Sequence, residues 1–128
     1  MIVDTSAVVA ILNDEPDASR FKAALAAAAV CRMSVVNALE ATMVVESRGG
    51  ATAGAELERV MSLAQIEEVP VTLEQLASAR YAWRRFGKGN HAAGLNFGDC
   101  FAYALSDVTR EPLLFKGEDF ARTDVRTS

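Results

Sequence analysis

The sequence is poor in the residues that mark disulfide frameworks, zinc sites and membrane spans. Its 128 residues include two cysteines and one histidine. Cys31 and Cys100 lie far apart and form no CxxC pair, so we expect two reduced, buried thiols and no zinc site. No apolar run approaches the roughly 20 residues that a membrane helix needs, and no signal peptide precedes the first predicted strand. We therefore expect a soluble, cytoplasmic protein.

Positive charge is also scarce. Lysine and arginine together number 13 against 17 acidic residues, which leaves a net charge of −4 and a pI near 5.0. This balance argues against a protein that binds nucleic acid through its overall charge, so any such contact must be local. The 51% hydrophobic and 23% charged content is typical of a globular chain. We expect one domain over residues 1–128.

Short apolar runs alternate with longer segments of helical periodicity. The runs predict strands over residues 1–3, 30–33, 66–71 and 112–115, and Pro70 marks the third strand as an edge or terminal one. Between them the pattern predicts helices over residues 7–12, 15–28, 34–48, 51–65, 72–86 and 96–109, with Gly49 and Gly50 ending the third. We expect Trp83 and Phe97 to be buried. The alternation predicts an α/β fold with a short, mostly parallel central sheet and helices on both faces.

Four acidic residues stand at informative places in this pattern. Asp4 follows the first predicted strand, Asp119 lies in the turn after the last one, and Asp99 lies in the first turn of the helix over residues 96–109. Glu40 lies within a helix and its neighbours Val36, Met43 and Val44 are apolar. Each acid has an ordinary alternative explanation, namely helix capping for Asp4, dipole stabilisation for Asp99, a turn for Asp119 and a solvated surface for Glu40.

The four positions become more informative when they are considered together. In an open parallel sheet, binding and catalytic sites lie beyond the carboxyl ends of the strands, where Asp4 and Asp119 are expected. Converging carboxylates repel one another unless cations lie between them, and all-oxygen ligands favour Mg²⁺ or Mn²⁺. Such ions could activate a water for attack on a phosphodiester. Ser6 and Asn96 are candidates for hydrogen bonds that orient the ligands or the bound water.

Local positive charge gathers just before Asp99. A glycine-rich loop over residues 87–94 carries Lys88 and His91 and follows directly on Arg84 and Arg85. This stretch could be a solvated loop after an amphipathic helix, but its place directly before Asp99 favours contact with a phosphate backbone. Lys116, after the last strand, is a further candidate for such contact.

Four segments carry a resemblance to a known family. Residues 3–7, Glu40, residues 94–100 and residues 114–120 closely resemble the VapC-type toxins of the PIN-domain ribonuclease family, and the likeness spans almost the whole chain. The resemblance implies a PIN-like three-layer fold and maps the family's small hydroxyl residue onto Ser6. It also maps the acidic quartet, as both catalytic residues and metal ligands, onto Asp4, Glu40, Asp99 and Asp119. Glu118 and Asp124 also stand near the fourth position, where Asp119 matches the motif best and Asp124 could be an additional outer residue.

The resemblance also implies an activity and partners. It implies an endoribonuclease that uses Mg²⁺ or Mn²⁺ and acts as the toxin of a type II toxin-antitoxin pair. The expected partners are an RNA substrate, a second copy of the chain in a homodimer, and a VapB-like antitoxin whose C-terminal segment covers the site. A toxin-antitoxin hetero-oligomer would follow.

Three other classes of protein share some of these sequence features. An aspartate-nucleophile phosphatase also begins with a strand that ends in Asp, but it needs a second Asp where this chain has Ser6. A receiver-like signalling domain needs a phosphoacceptor Asp after a central strand, and residues 66–71 offer none. A non-catalytic binding module could keep the acidic quartet as a remnant of its fold.

Overall fold

The computed structural model describes all 128 residues. The chain forms four short strands, five helices and one 3₁₀ turn, with the bounds β1 Ile2–Val3, α1 Thr5–Leu12, α2 Ala18–Ala27, β2 Cys31–Ser34, α3 Val35–Leu63, β3 Ile66–Val69, α4 Leu73–Phe86, α5 Phe97–Thr109, β4 Leu113–Leu114 and the turn Phe120–Arg122. None of these helices is both long enough and apolar enough to cross a bilayer.

The four strands form one parallel sheet in the order β3-β2-β1-β4. Ile2 lies opposite Arg32 of β2 on one side and Leu113 of β4 on the other. Strands β2 and β3 therefore lie in succession on one side of β1, and β4 lies on the other side of β1. This change of side places the topological switch point between β1 and β4, where parallel sheets open a crevice at their carboxyl ends. The predicted parallel α/β sheet and the edge position of β3 are confirmed.

Two apolar cores lie on opposite faces of the sheet. Val3 and Leu114 pack into a core with α1, α2 and α3, whereas their neighbours Ile2 and Leu113 pack into a core with α4 and α5. This division follows from the two-residue period of a strand, which sends successive side chains to opposite faces. Helices therefore cover both faces, and the predicted three-layer arrangement is confirmed.

Gly50 divides the longest helix. Its backbone has φ +66° and ψ −162°, so α3 is kinked at the place where the sequence predicts one helix to end and the next to begin. Only glycine adopts this conformation readily. At the start of α3, the Ser34 hydroxyl accepts a hydrogen bond from the Val36 backbone N–H, which is the predicted N-cap.

Three side chains expected in the core are exposed. The exposed fractions are 47% for Trp83, 73% for Phe97 and 63% for Met43, so the predictions of buried Trp83 and Phe97 are wrong. The strongly buried face of α5 begins with Cys100 and Tyr103, and Phe97, at the first helical position, lies off that face with its ring 5.1 Å from the ring of Phe101. Apolar character alone therefore misplaces residues at the ends and edges of helices.

Candidate functional site at the carboxyl end of the sheet

Asp4 is the most buried carboxylate of the site. It is the N-cap of α1 and is 3% exposed. Its Oδ2 accepts hydrogen bonds from the Ser6 backbone N–H at 3.0 Å and from the Ser6 hydroxyl at 2.6 Å, whereas its Oδ1 is buried without a hydrogen-bond partner. Burial raises the pKa of Asp4 to about 6 despite these hydrogen bonds. The result is a buried carboxylate with one oxygen held and one oxygen unpaired.

Ser6 connects the two strands at the switch point. Its hydroxyl donates to Asp4 and accepts a hydrogen bond of 2.9 Å from the backbone N–H of Lys116, just after β4. The Asp4 backbone N–H in turn donates to the carbonyl of Leu114, the last residue of β4. The end of β1 and the end of β4 are therefore tied together around Asp4.

Asp99 is part of a capping box at the start of α5. The Asn96 side chain accepts from the Asp99 backbone N–H at 2.9 Å, and Asp99 Oδ2 accepts from the Asn96 backbone N–H at 3.0 Å. Burial raises the pKa of Asp99 to about 7, and the negative charges of Asp4, Asp119 and Glu40 add to that increase. The residue is therefore both a helix cap and a member of a cluster of like charges.

Glu40 is half-buried and is held by polar groups. One of its oxygens, Oε1, accepts hydrogen bonds from the hydroxyl of Thr5 and, at 3.3 Å, from the side-chain amide of Asn37. The apolar neighbours of Glu40 along α3 do not form a buried face around it, because Met43 is largely exposed. Two polar partners from α1 and α3 account for its position instead.

Asp119 and the two acids near it have different surroundings. Asp119 is exposed and precedes the 3₁₀ turn without a side-chain cap hydrogen bond. Its negative charge contributes to the raised pKa of Asp99. Asp124 Oδ1 accepts from the Tyr103 hydroxyl at 2.7 Å, and Asp124 Oδ2 lies 3.8 Å from Arg85. Asp124 is thus paired with α4 and α5 rather than with the acidic quartet, and Glu118 is exposed.

The candidate RNA-contact residues fall into two groups. Arg85 is hydrogen-bonded to the Tyr81 hydroxyl, and Lys116 is paired with Glu15, so both already have partners within the chain. The His91 ring lies 5.2 Å from that of Phe86, and its Nδ1 accepts from the Ala93 backbone N–H. Arg84 and Lys88 are exposed and form no ion pair.

The donor set fits a hard divalent cation in its chemistry. The four side chains offer only carboxylate oxygens, and the buried, unpaired Asp4 Oδ1 is an acceptor that the protein itself does not use. The distances between the four carboxylates are larger than in a closed metal site, since no three His, Cys, Asp or Glu side chains lie close enough to share one ion. Ligation by several of these acids would therefore require their side chains to draw together.

Sequence reasoning missed three residues around Glu40. They are Thr5, Asn37 and Gly98, and all three contact its carboxylate or lie against it. Thr5 follows the first Asp, and Asn37 is three residues before Glu40, on the same side of α3. That spacing is a usable signal, but the proximity of Gly98 to Glu40 depends on how α3 and α5 pack.

Comparisons with known proteins agree with this fold. The PIN domain family model matches residues 1–126. Ribonuclease VapC30 of Mycobacterium tuberculosis is 50% identical over 127 residues, which cover 99% of this chain and 97% of the relative. A Ribonuclease VapC of Mycolicibacterium smegmatis is 52% identical over 125 residues, covering 98% and 97%.

Solved structures show the same fold at low identity. The structure of Mycobacterium tuberculosis VapC20, described as a Sarcin-Ricin loop cleaving toxin, has a TM-score of 0.80 at 17% identity and covers 99% of this chain and 97% of that one. A toxin-antitoxin complex from Klebsiella pneumoniae has a TM-score of 0.72 at 14% identity, with 99% and 95% covered. Because the PIN domain family model matches residues 1–126, the chain belongs to the PIN-domain family. Within that family it is of the VapC type, as the relatives near 50% identity show.

Proposed function

We propose that this chain is an endoribonuclease dependent on Mg²⁺ or Mn²⁺ and that it is the toxin of a type II toxin-antitoxin pair. The observation that carries the proposal is the buried, unpaired oxygen of Asp4 at the switch point of the sheet. The charges of Asp4, Glu40 and Asp119 all act on Asp99, which supports the convergence of the four acids. The names of the relatives, Ribonuclease VapC30 and Ribonuclease VapC, support the reaction class.

Asp4, Glu40, Asp99 and Asp119 would hold the metal, which would supply a water of lowered pKa and stabilise charge on the leaving oxygen. Ser6 occupies Asp4 Oδ2 and so leaves Oδ1 for ligation. The Asn96 backbone likewise occupies one oxygen of Asp99 and leaves the other free of that bond. The N-terminus of α5 lies beside these acids and favours an anionic phosphate there. No side-chain nucleophile is required.

Substrate and partners are part of the same proposal. Arg84 and Lys88 are exposed and free of ion pairs, which supports contact with an RNA backbone, whereas Arg85, His91 and Lys116 would contribute less because they already have partners. We propose a VapB-like antitoxin, a homodimer and a cytoplasmic location on the strength of the family. Structural neighbours described as a toxin-antitoxin complex from Klebsiella pneumoniae and as VapBC2 from Rickettsia felis support the antitoxin.

Cleavage of RNA by the purified chain tests the proposal. We expect Mg²⁺ or Mn²⁺ to support cleavage of structured RNA and EDTA to stop it. Asp4→Asn and Asp99→Asn should each abolish cleavage while the circular dichroism spectrum stays native, because each removes a carboxylate charge at nearly constant shape. The rate should fall by about 100-fold or more, as is common when a group essential for stabilising the transition state is lost.

Asp17→Asn provides the matched control. Asp17 is also an N-cap, at the start of α2, and its side chain makes no cap hydrogen bond. We expect this variant to cleave RNA at the wild-type rate. If Asp4→Asn and Asp99→Asn cut as fast as Asp17→Asn, the carboxylate site is not the catalytic centre.

A further inference from the structure

Glu40 is held from three separate elements of the fold. Thr5 is the first residue of α1, Asn37 lies one turn before Glu40 on α3, and Gly98 lies in the first turn of α5. What these contacts imply rests on the proposed function, in which Glu40 is one of the four metal ligands.

The Thr5 hydroxyl is directed at two acceptors. Its Oγ1 lies within hydrogen-bond distance of Glu40 Oε1 and is 3.1 Å from the carbonyl oxygen of Asn37. A hydroxyl has one proton to donate, and a carboxylate is a stronger acceptor than a carbonyl. Thr5 therefore donates to Glu40 when that side chain is ionised, and it restrains one of its two oxygens.

Asn37 is fully buried and its amide can face only one way. Its Nδ2 lies 3.3 Å from Glu40 Oε1 and 2.9 Å from the carbonyl oxygen of Gly98. Both neighbours are acceptors, so the amide nitrogen must point toward them. The amide oxygen is then buried without a partner. An apolar side chain would leave no unpaired oxygen at this position, so folding stability alone does not account for asparagine here.

Gly98 leaves the space that the Glu40 carboxylate occupies. A Cβ built at Gly98 would lie 2.1 Å from Glu40 Oε2, far inside contact distance. The backbone of Gly98 is helical and its φ is not positive, so its conformation does not require glycine. Glycine is required because the Glu40 carboxylate occupies the space of a side chain. The atom in the way is the far end of a flexible side chain. Alanine at position 98 would therefore displace the carboxylate of Glu40 without breaking α5.

We propose that Thr5, Asn37 and Gly98 together position the carboxylate of Glu40 for metal binding. Thr5 and Asn37 hold Oε1 by hydrogen bonds, and Gly98 leaves room for Oε2 against the start of α5. These are positioning residues, because they act on the metal through Glu40. Partners of a ligand commonly change metal affinity or activity by about 10- to 100-fold.

Gly98→Ala is the most direct test, with three measurements on the full chain: Mn²⁺ binding by calorimetry, RNA cleavage with Mn²⁺, and the thermal midpoint in EDTA. We expect Mn²⁺ affinity and cleavage to fall by about 10-fold or more, while the midpoint stays at or above the wild-type value because alanine favours helix. Gly54→Ala is the matched control, since a Cβ there would lie 2.3 Å from Glu46 Oε2, in α3. It should leave Mn²⁺ binding unchanged.

Thr5 offers a second pair of variants. Thr5→Val removes the hydroxyl at nearly constant shape and should weaken Mn²⁺ binding, whereas Thr5→Ser keeps the hydroxyl and should restore it. Asn37→Leu should weaken Mn²⁺ binding without lowering the thermal midpoint in EDTA. Thr42→Val is the control on the same helix, because the Thr42 hydroxyl donates only to the Ala38 carbonyl.

The outcomes separate this inference from the function on which it rests. If the wild-type chain neither binds Mn²⁺ nor cleaves RNA, the proposed function is wrong. If the wild type does both and Gly98→Ala and Thr5→Val bind Mn²⁺ as tightly as the wild type, the function stands and the positioning role is wrong. If Thr5→Ser binds Mn²⁺ as weakly as Thr5→Val, the hydroxyl is not what positions Glu40.

Discussion

Two buried side chains at this site lower the stability of the folded protein. Asp4 is a buried carboxylate with an unpaired oxygen, and Asn37 is a buried amide with an unpaired oxygen. A buried polar atom without a partner costs about 1–3 kcal/mol. Such costs concentrate at functional sites, because the groups are arranged for a ligand and not for the free protein.

The raised pKa of Asp4 leads to a prediction about stability. Without metal, Asp4→Asn should increase the free energy of unfolding at pH 7.5 by on the order of 1–3 kcal/mol. Burial raises the pKa of Asp4 to about 6, so near neutral pH the folded protein must keep a buried charge that asparagine lacks. Urea unfolding of both proteins in EDTA measures the difference.

The sign of the pH dependence follows from the direction of the shift. Because the folded protein binds the Asp4 proton more tightly than the unfolded chain, protonation stabilises the fold. That stability is fully present below the unfolded pKa, about 3.9, and is lost as the pH rises through about 6. The advantage of Asp4→Asn should therefore shrink between pH 7.5 and pH 4. An advantage that is equal at both pH values would contradict the burial argument.

At the scale of elements, α5 and α3 bring the site together. The first turn of α5 carries the capping box and Asp99, so one helix start both orders its own backbone and presents a carboxylate. The part of α3 before Gly50 carries Asn37 and Glu40 and packs Ala41 and Val45 into the core, and the part after the kink packs Leu57 and Met61 into the same core.

Gly50 provides a test at this scale. Gly50→Ala should destabilise the protein by about 1–3 kcal/mol, because an L side chain is strained at φ +66° and ψ −162°. Its Cβ would meet no atom within 4 Å, so any loss reports backbone strain and not a clash. Chemical unfolding of Gly50→Ala beside the wild type measures this loss. Equal stability of Gly50→Ala and the wild type would show that the kink is not a strained position.

At the scale of the whole molecule, the negative charge of the chain works against the binding of an anionic substrate at the acidic site. Asp4 lies at the switch point of the sheet, and the chain as a whole has a net charge of −4. Under the proposed function, RNA would approach a site that repels it unless bound cations and local basic residues offset the repulsion. Exposed Lys88 in the loop before α5 is the clearest candidate for such a residue.

The salt dependence of RNA binding tests this role of Lys88. In an Asp99→Asn background, which should bind without cutting, Lys88→Ala should weaken binding and reduce the slope of log K against log salt by about 0.7. Arg85→Ala should change the slope less, because Arg85 is already bonded to Tyr81 and lies near Asp124. Lys22→Ala, an exposed lysine on α2, is the control. An unchanged slope for Lys88→Ala would remove the loop from the RNA-binding surface.

Much of the architecture was predictable from local pattern. The order of strands and helices, the break at Gly50 and the edge position of β3 follow from periodicity, glycine and proline. The burial of Trp83 and Phe97 was mispredicted, because hydrophobicity does not say which side of a helix faces the sheet near its ends. The pairing of Asp124 with Tyr103 was also beyond local pattern, since it joins the C-terminal segment to α5.

The sequence by itself determined which elements form and where the four acids lie along them, because capping, periodicity and turn chemistry act over a few residues. Only the tertiary structure decided which contacts the acids make across elements. The Ser6 hydroxyl, which binds Asp4, accepts a hydrogen bond from Lys116 after β4, and Glu40 is held by Thr5 of α1 and lies against Gly98 of α5. These three contacts join residues far apart in the chain, so they exist only once the sheet and the helices have packed.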